Sequence, residues 1–191
     1  MSALSTFPKA TFRQTIDATA QDWAIMEDAE ADWRRRLGPC AGLLSMLASI
    51  EHADTLGAPV NLYLHSLQTA TRALNDGADD ELIVVALFHD LPEMFSGNDH
   101  GLVAAHMLSP AISEARTWLL IHHGIFQDFY FANHPTRDRH ARERYKGSVH
   151  FEETDHFCRC YDQNSFDPDF PTLPLEEFKP IVRRFFGVVE A

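Results

Sequence analysis

Cysteine is scarce, with three in 191 residues. An odd number closes no disulfide framework, and Cys158 and Cys160 stand too close in sequence to bridge each other comfortably. A lone Cys-x-Cys without a second pair gives no thiolate metal site either, so all three read as small buried apolar side chains. Cations are also outnumbered. Lys and Arg total 16 against 28 Asp and Glu, a formal net charge of −12, which argues against nucleic acid or an anionic membrane as partner. The local clusters at Arg34-Arg35-Arg36 and across 137–146 read as solvated faces or loops. No uninterrupted apolar segment approaches the ~20 residues that span a bilayer, and the first fifteen residues hold no signal-peptide core. A cytoplasmic location is the expectation. Period-2 alternation is nowhere sustained, which removes the case for a sheet.

What the chain does have is apolar content, 45%, arranged at helical spacing. That suffices for one all-α domain over 1–191, with its core at about 40–166. Residues 1–18 lack a sustained period and read as an arm. Helices are predicted at 19–37, with an apolar stripe of Trp23, Met26 and Trp33, and at 40–53, with Leu43, Leu44, Leu47 and Ile50. Gly38-Pro39 divides the two. Further helices are expected at 61–76, 80–91, 99–108, 112–131 and 151–163, and a last one at about 174–189. Between 133 and 150 the chain is polar and reads as a loop with a short helix inside it.

The predicted 80–91 helix is the key stretch. Leu82 to Phe88 are all apolar and run straight into His89-Asp90, where an unpartnered buried carboxylate would be costly. Other candidate donors stand on separate predicted helices: His65, His100, the pair His122-His123, and Asp155 or Asp162. Periodicity does not choose within either of the last two pairs. Several histidines and two carboxylates from different helices are how a bundle builds a dinuclear metal centre. Asp90, with two oxygens, is assigned as the bridge. Nitrogen and oxygen donors without sulfur suit iron, manganese, zinc, nickel or magnesium. His52, His106, His134, His140, His150 and His156 read as non-ligands.

The order of these residues resembles the HD-domain superfamily, all-α metalloproteins defined by a His, a His-Asp dipeptide and a later Asp. The likeness is carried by His65 in Leu64-His-Ser-Leu-Gln-Thr-Ala70, by His89-Asp90, and by Asp162 in Tyr161-Asp-Gln163. His100 in Asn98-Asp-His-Gly101 and His123 in His122-His-Gly124 fill the two places added in the dinuclear subset. The resemblance therefore extends to the mixed-valent di-iron HD oxygenases, which include inositol oxygenases and phosphonate-cleaving dioxygenases. It implies an HD-type helical bundle, two Fe ions, O2, and a small hydroxylated substrate, with His65, His89, Asp90, His100, His123 and Asp162 as ligands. Two positions depart from the phosphonate enzymes. Glu93 stands where they carry a histidine and Gln127 where they carry a lysine, and both are candidates for substrate contact. His89-Asp-Leu-Pro-Glu93 is also similar to the His-Asp-x-x-Glu of HD 5′-nucleotidases, in which the glutamate positions the attacking water at a single metal. That makes a metal-dependent phosphohydrolase the alternative, with Glu93 catalytic, and a non-catalytic HD regulatory module the third reading. Self-association is left open by the sequence.

Overall fold

Leu82 to Phe88 are buried on every side, as a helix apolar all round must be. The computed structural model, which describes residues 7–188, assembles the other elements around this segment. The first six residues of the predicted arm, and position 189 at the end of the predicted last helix, lie outside the described residues. In chain order the α-helices are α1 (Ala20–Arg36), α2 (Gly38–Ser49), α3 (Leu62–Asn75), α4 (Asp80–Phe88), α5 (Glu93–Ser96), α6 (His100–Leu108), α7 (Glu114–Gln127), α8 (Phe151–Cys160) and α9 (Leu175–Phe185). Short 3-10 turns fill several gaps, and the described residues contain no strand. The fold is an all-α helical bundle, as expected. Among the described residues no helix is long and apolar enough to cross a membrane.

The central helix α4 begins at an Asp79 cap, whose carboxylate accepts from the Leu82 amide at 2.7 Å. It packs against α3, α7 and α9. Each fully buried aliphatic side chain it contributes stabilises the fold by roughly 1.5–3 kcal/mol. α3 begins at Asn61, which accepts from the Leu64 amide at 2.9 Å. α7 begins at Ser113, which caps the Arg116 amide. Arg116 is itself buried and pairs with Glu153 of α8 and with Asp79, so one guanidinium ties α7 to α8 and to the start of α4.

Several boundaries differ from expectation. α4 stops at Phe88 rather than 91, because Pro92 lacks an amide hydrogen and biases Leu91 away from helical geometry. His89 and Asp90 thus sit in the turn beyond the helix. α2 starts at Gly38 (φ 55°) directly after Leu37 and ends at Ser49, although its stripe Leu43, Leu44, Leu47 and Ile50 is buried as predicted. α7 and α8 end at Gln127 and Cys160, each followed by a 3-10 turn, at Asp128–Tyr130 and Asp162–Asn164.

Two readings are corrected outright. The α1 stripe is not core: Trp23, Met26 and Trp33 are 41%, 43% and 44% exposed, because α1 contacts mainly α2. Its buried residue is Asp22, which caps the helix with Thr19 and also accepts from the Thr11 amide at 2.7 Å. Nor is 137–146 wholly solvated. It contains the expected short helix, Ala141–Tyr145, but the Arg142 guanidinium pairs with Asp155 and lies 3.7 Å from the Phe129 ring centroid. Cys40 and Cys158 are buried as expected, whereas Cys160 is only partly so.

Gly101 on α6 allows a close approach to α7. A Cβ there would lie 2.2 Å from the Leu120 carbonyl oxygen of α7 and 3.1 Å from the His123 ring. Gly101→Ala should therefore force α6 away from α7 and lower unfolding free energy by at least about 2 kcal/mol in urea titration, where an ordinary helical Gly→Ala exchange is stabilising.

Candidate metal centre

Six side chains converge where α3, α4, α6, α7 and α8 meet. His65 comes from the first turn of α3 and His123 from α7. His89 and Asp90 leave the end of α4, and His100 opens α6. Asp162 opens the 3-10 turn after α8. His65 Nε2 lies 3.3 Å from His89 Nε2 and 3.4 Å from Asp162 Oδ1. Asp90 Oδ2 is 3.2 Å from both of those imidazole nitrogens. The other oxygen, Asp90 Oδ1, is 3.2 Å from His100 Nε2 and 3.0 Å from His123 Nε2, and these two nitrogens are 3.0 Å apart. Two donor sets result, His65-His89-Asp90-Asp162 and Asp90-His100-His123, and either could hold a metal ion. One Asp90 oxygen faces each set.

The backbone fixes which imidazole nitrogen points inward. Nδ1 of His65, His89, His100 and His123 lies 2.9, 2.8, 2.6 and 2.7 Å from the carbonyl oxygens of Ser165, Ala86, Gly97 and Leu120. A carbonyl only accepts, so each Nδ1 carries a hydrogen, and a neutral ring then directs its lone pair from Nε2 into the cluster. Four lone pairs and two carboxylates at 3.0–3.8 Å repel one another unless a cation or bound protons lie among them. Carbonyl-anchored imidazoles of this kind are the usual outer support of metal-ligating histidine. Asp162 Oδ2, fully enclosed, has no hydrogen-bond partner, as a carboxylate oxygen reserved for an ion would have none. The nitrogen and oxygen donors fit a first-row transition metal.

Without a metal ion, protons take that place. At His65 burial opposes the charged ring, but the hydrogen-bonded carboxylates of Asp162 and Asp90 outweigh it and hold the pKa at about 9. His89 is raised likewise against burial, foremost by the Asp90 charge, and His100 is raised by its bond to Asp90. Burial also opposes ionisation of Asp162, yet the His65 and His89 bonds bring it down to about 2. Asp90 is held well below the carboxylate range against its own burial, chiefly by the His89 charge.

Of the undecided pairs, His123 and Asp162 join the cluster and His122 and Asp155 do not. His122 stacks on Trp118 at 4.0 Å between ring centroids, and Asp155 pairs with Arg142 and Arg159. His52 and His106 are exposed. Gln127 is buried and gives its amide hydrogen to Asp162 Oδ1 at 3.1 Å, which leaves its own Oε1 enclosed without a partner. Glu93 is exposed at the start of α5, near enough for its charge to act on His100.

Three residues support the site in roles that the sequence does not assign them. Gln68 makes a two-bond amide clamp on the Asp167 backbone, at 2.6 and 3.2 Å. Phe166 packs on His65 at 4.6 Å. Gly101 lets α6 bring His100 up to His123. Gln68 stands one turn after His65 in the quoted motif, which is a usable signal. The other two depend on contacts between distant segments.

The shifts fix a pH dependence. The raised His65 pKa contributes stability that is complete below 6.5 and lost as pH climbs through about 9. The depressed Asp162 pKa contributes stability present above 3.8 and lost as pH falls towards 2. In chelator, unfolding free energy should thus fall between pH 6.5 and 9, by on the order of 3 kcal/mol from His65. Saturating divalent metal should flatten that fall, since bound metal replaces protons. A chelated protein equally stable at both pH values would contradict the proton-filled cluster. The chain matches no protein-family model and no curated protein, so what the centre does is argued from its own donors.

Proposed function

We propose that the protein is an HD-type di-iron oxygenase that oxidises or cleaves a small hydroxylated compound with O2. The observation that carries this reading is the division of Asp90, one oxygen towards each donor set. A mononuclear site has no use for His100 and His123 on the far oxygen of the same carboxylate. His65, His89, Asp90 and Asp162 would hold one ion, and Asp90, His100 and His123 the other. When bound, the iron pair supplies electrons for O2 chemistry and a Lewis-acid seat for a substrate hydroxyl.

The remaining work falls to the chain. The carbonyl anchors keep four imidazoles in the ligating tautomer, so no ring must reorient when the site fills. Phe157 and Phe166 wall the histidine side and keep bulk water from His65 and His89. His100, 17% exposed against 3% or less for the other three, marks the side on which a substrate arrives. Gln127 holds Asp162 by one amide hydrogen and offers Oε1 to a hydrogen-bond donor.

Phosphate-ester hydrolysis is the second reading, favoured by Glu93, whose exposed carboxylate stands beside His100 on that same side. There it would position water for attack. Anaerobic loading of the full chain with ferrous iron and partial one-electron oxidation with ferricyanide, followed by metal analysis and EPR, separates the two. The oxygenase requires two irons per chain and a coupled mixed-valent signal, reduced to one iron by His100→Ala, with O2 uptake on addition of substrate. One ion per chain regardless of His100, with O2-independent phosphate release from nucleotides, would replace it with the hydrolase.

A further inference from the structure

A second cluster of reactive side chains lies outside the metal centre, between the end of α3 and the end of α8. His156 and Cys160 are four apart on α8 and so share a face. Cys160 Sγ lies 3.6 Å from His156 Nδ1. On the other edge of the ring, His156 Nε2 is 3.3 Å from Asp76 Oδ2 and 3.0 Å from the Tyr161 hydroxyl oxygen. The Tyr161 hydroxyl donates to the same Asp76 oxygen at 2.6 Å. Its hydrogen thus spent, Tyr161 can only accept at that edge, and Asp76 accepts as well. Nε2 of His156 therefore carries the hydrogen, and Nδ1 aims its lone pair at the thiol. Nucleophile, base and orienter follow in sequence, which is the arrangement of an activated thiol.

The relay opens into a cavity of about 330 Å3 that Arg72 and Phe170 also line. The Arg72 guanidinium lies 3.7 Å from the Phe170 ring centroid and gives one hydrogen bond to the Asn164 carbonyl. Its Nε is sealed from solvent and has no hydrogen-bond partner, so the cationic edge that lines the cavity is the rest of the guanidinium. The other two thiols are placed differently. Cys40 is buried and donates to the Leu37 carbonyl, and Cys158 is buried and donates to the His123 carbonyl.

We propose that Cys160 is the nucleophile of a thiol-exchange site for a small carboxylate-bearing disulfide, with His156 as its base and Asp76 and Tyr161 holding that base in place. Cys160 Sγ bonds to one sulfur of the incoming disulfide as its proton passes to His156 Nδ1. The S–S bond of the disulfide breaks, and the departing sulfur takes the proton and leaves as a thiol. Cys160 is oxidised to a mixed disulfide, and the released half is reduced. Arg72 receives a carboxylate of the half that stays.

Oxidised glutathione and the neutral bis(2-hydroxyethyl) disulfide are the probes, added to the full chain and followed by intact mass and peptide mapping. One adduct, on Cys160, is expected with either. His156→Gln should slow its formation at least tenfold with both probes, and Asp76→Asn several-fold, while circular-dichroism melting confirms that each variant is folded. Arg72→Met should slow the glutathione reaction several-fold and leave the neutral one unchanged. No adduct, an adduct on Cys40 or Cys158, or an unchanged rate in folded His156→Gln and Asp76→Asn would overturn the relay. Equal effects of Arg72→Met on both probes would remove the carboxylate from the ligand class.

Discussion

Four imidazole lone pairs aimed at two buried carboxylates form an arrangement that cannot stand without positive charge, and the surrounding elements exist in positions that enforce it. Each Nδ1 is pinned to a carbonyl, so no ring escapes the repulsion by turning over. The charge can be protons or metal. Protons satisfy the cluster at the expense of raising the imidazoles and depressing the aspartates, and an ion displaces them. This competition links the stability of the bundle to whatever occupies its centre.

Placing six donors within reach of one another requires that every element end at the right residue. α4 delivers His89 and Asp90 because Pro92 ends it. α8 delivers Asp162 because the chain leaves the α-helix at Cys160 and tightens into a 3-10 turn. Gln68 then grips the backbone beyond that turn, and Ser165 lends its carbonyl to His65. The ligating residues thus sit at helix ends and turns more than on helix faces, where packing against a neighbour fixes their direction.

That is also why the sequence was legible in some places and opaque in others. The aliphatic run Leu82 to Phe88 admits one interpretation, a helix buried all round, and the histidines and aspartates stand out by type. The choice of His122 or His123 depends on which of two apolar stripes of α7 turns inward, whereas Asp155 and Asp162, seven apart, would share one face of a continuous helix and are told apart only because α8 ends at Cys160. Trp118, on the stripe of His122, stacks against it and lies edge-on to Tyr145 of the 3-10 helix, a contact that no local pattern encodes. Asp155 is claimed by Arg142, a residue from a segment that composition alone marks as solvated. The α1 stripe has the right period but too few neighbours, since periodicity states which residues share a face and not whether another element arrives to cover it.

The two donor sets differ in how much chain each must gather. Asp90, His100 and His123 lie within one stretch of chain from the end of α4 to α7, and the carbonyls that anchor the two histidines are local, three residues back along the backbone. The other set joins His65 to Asp162 and is braced by the long-range bonds of His65 to Ser165 and Gln68 to Asp167. The first half is thus closed over a short span of chain, whereas the second ties segments about a hundred residues apart, so the loop-closure entropy of the centre is concentrated in the His65-Asp162 half.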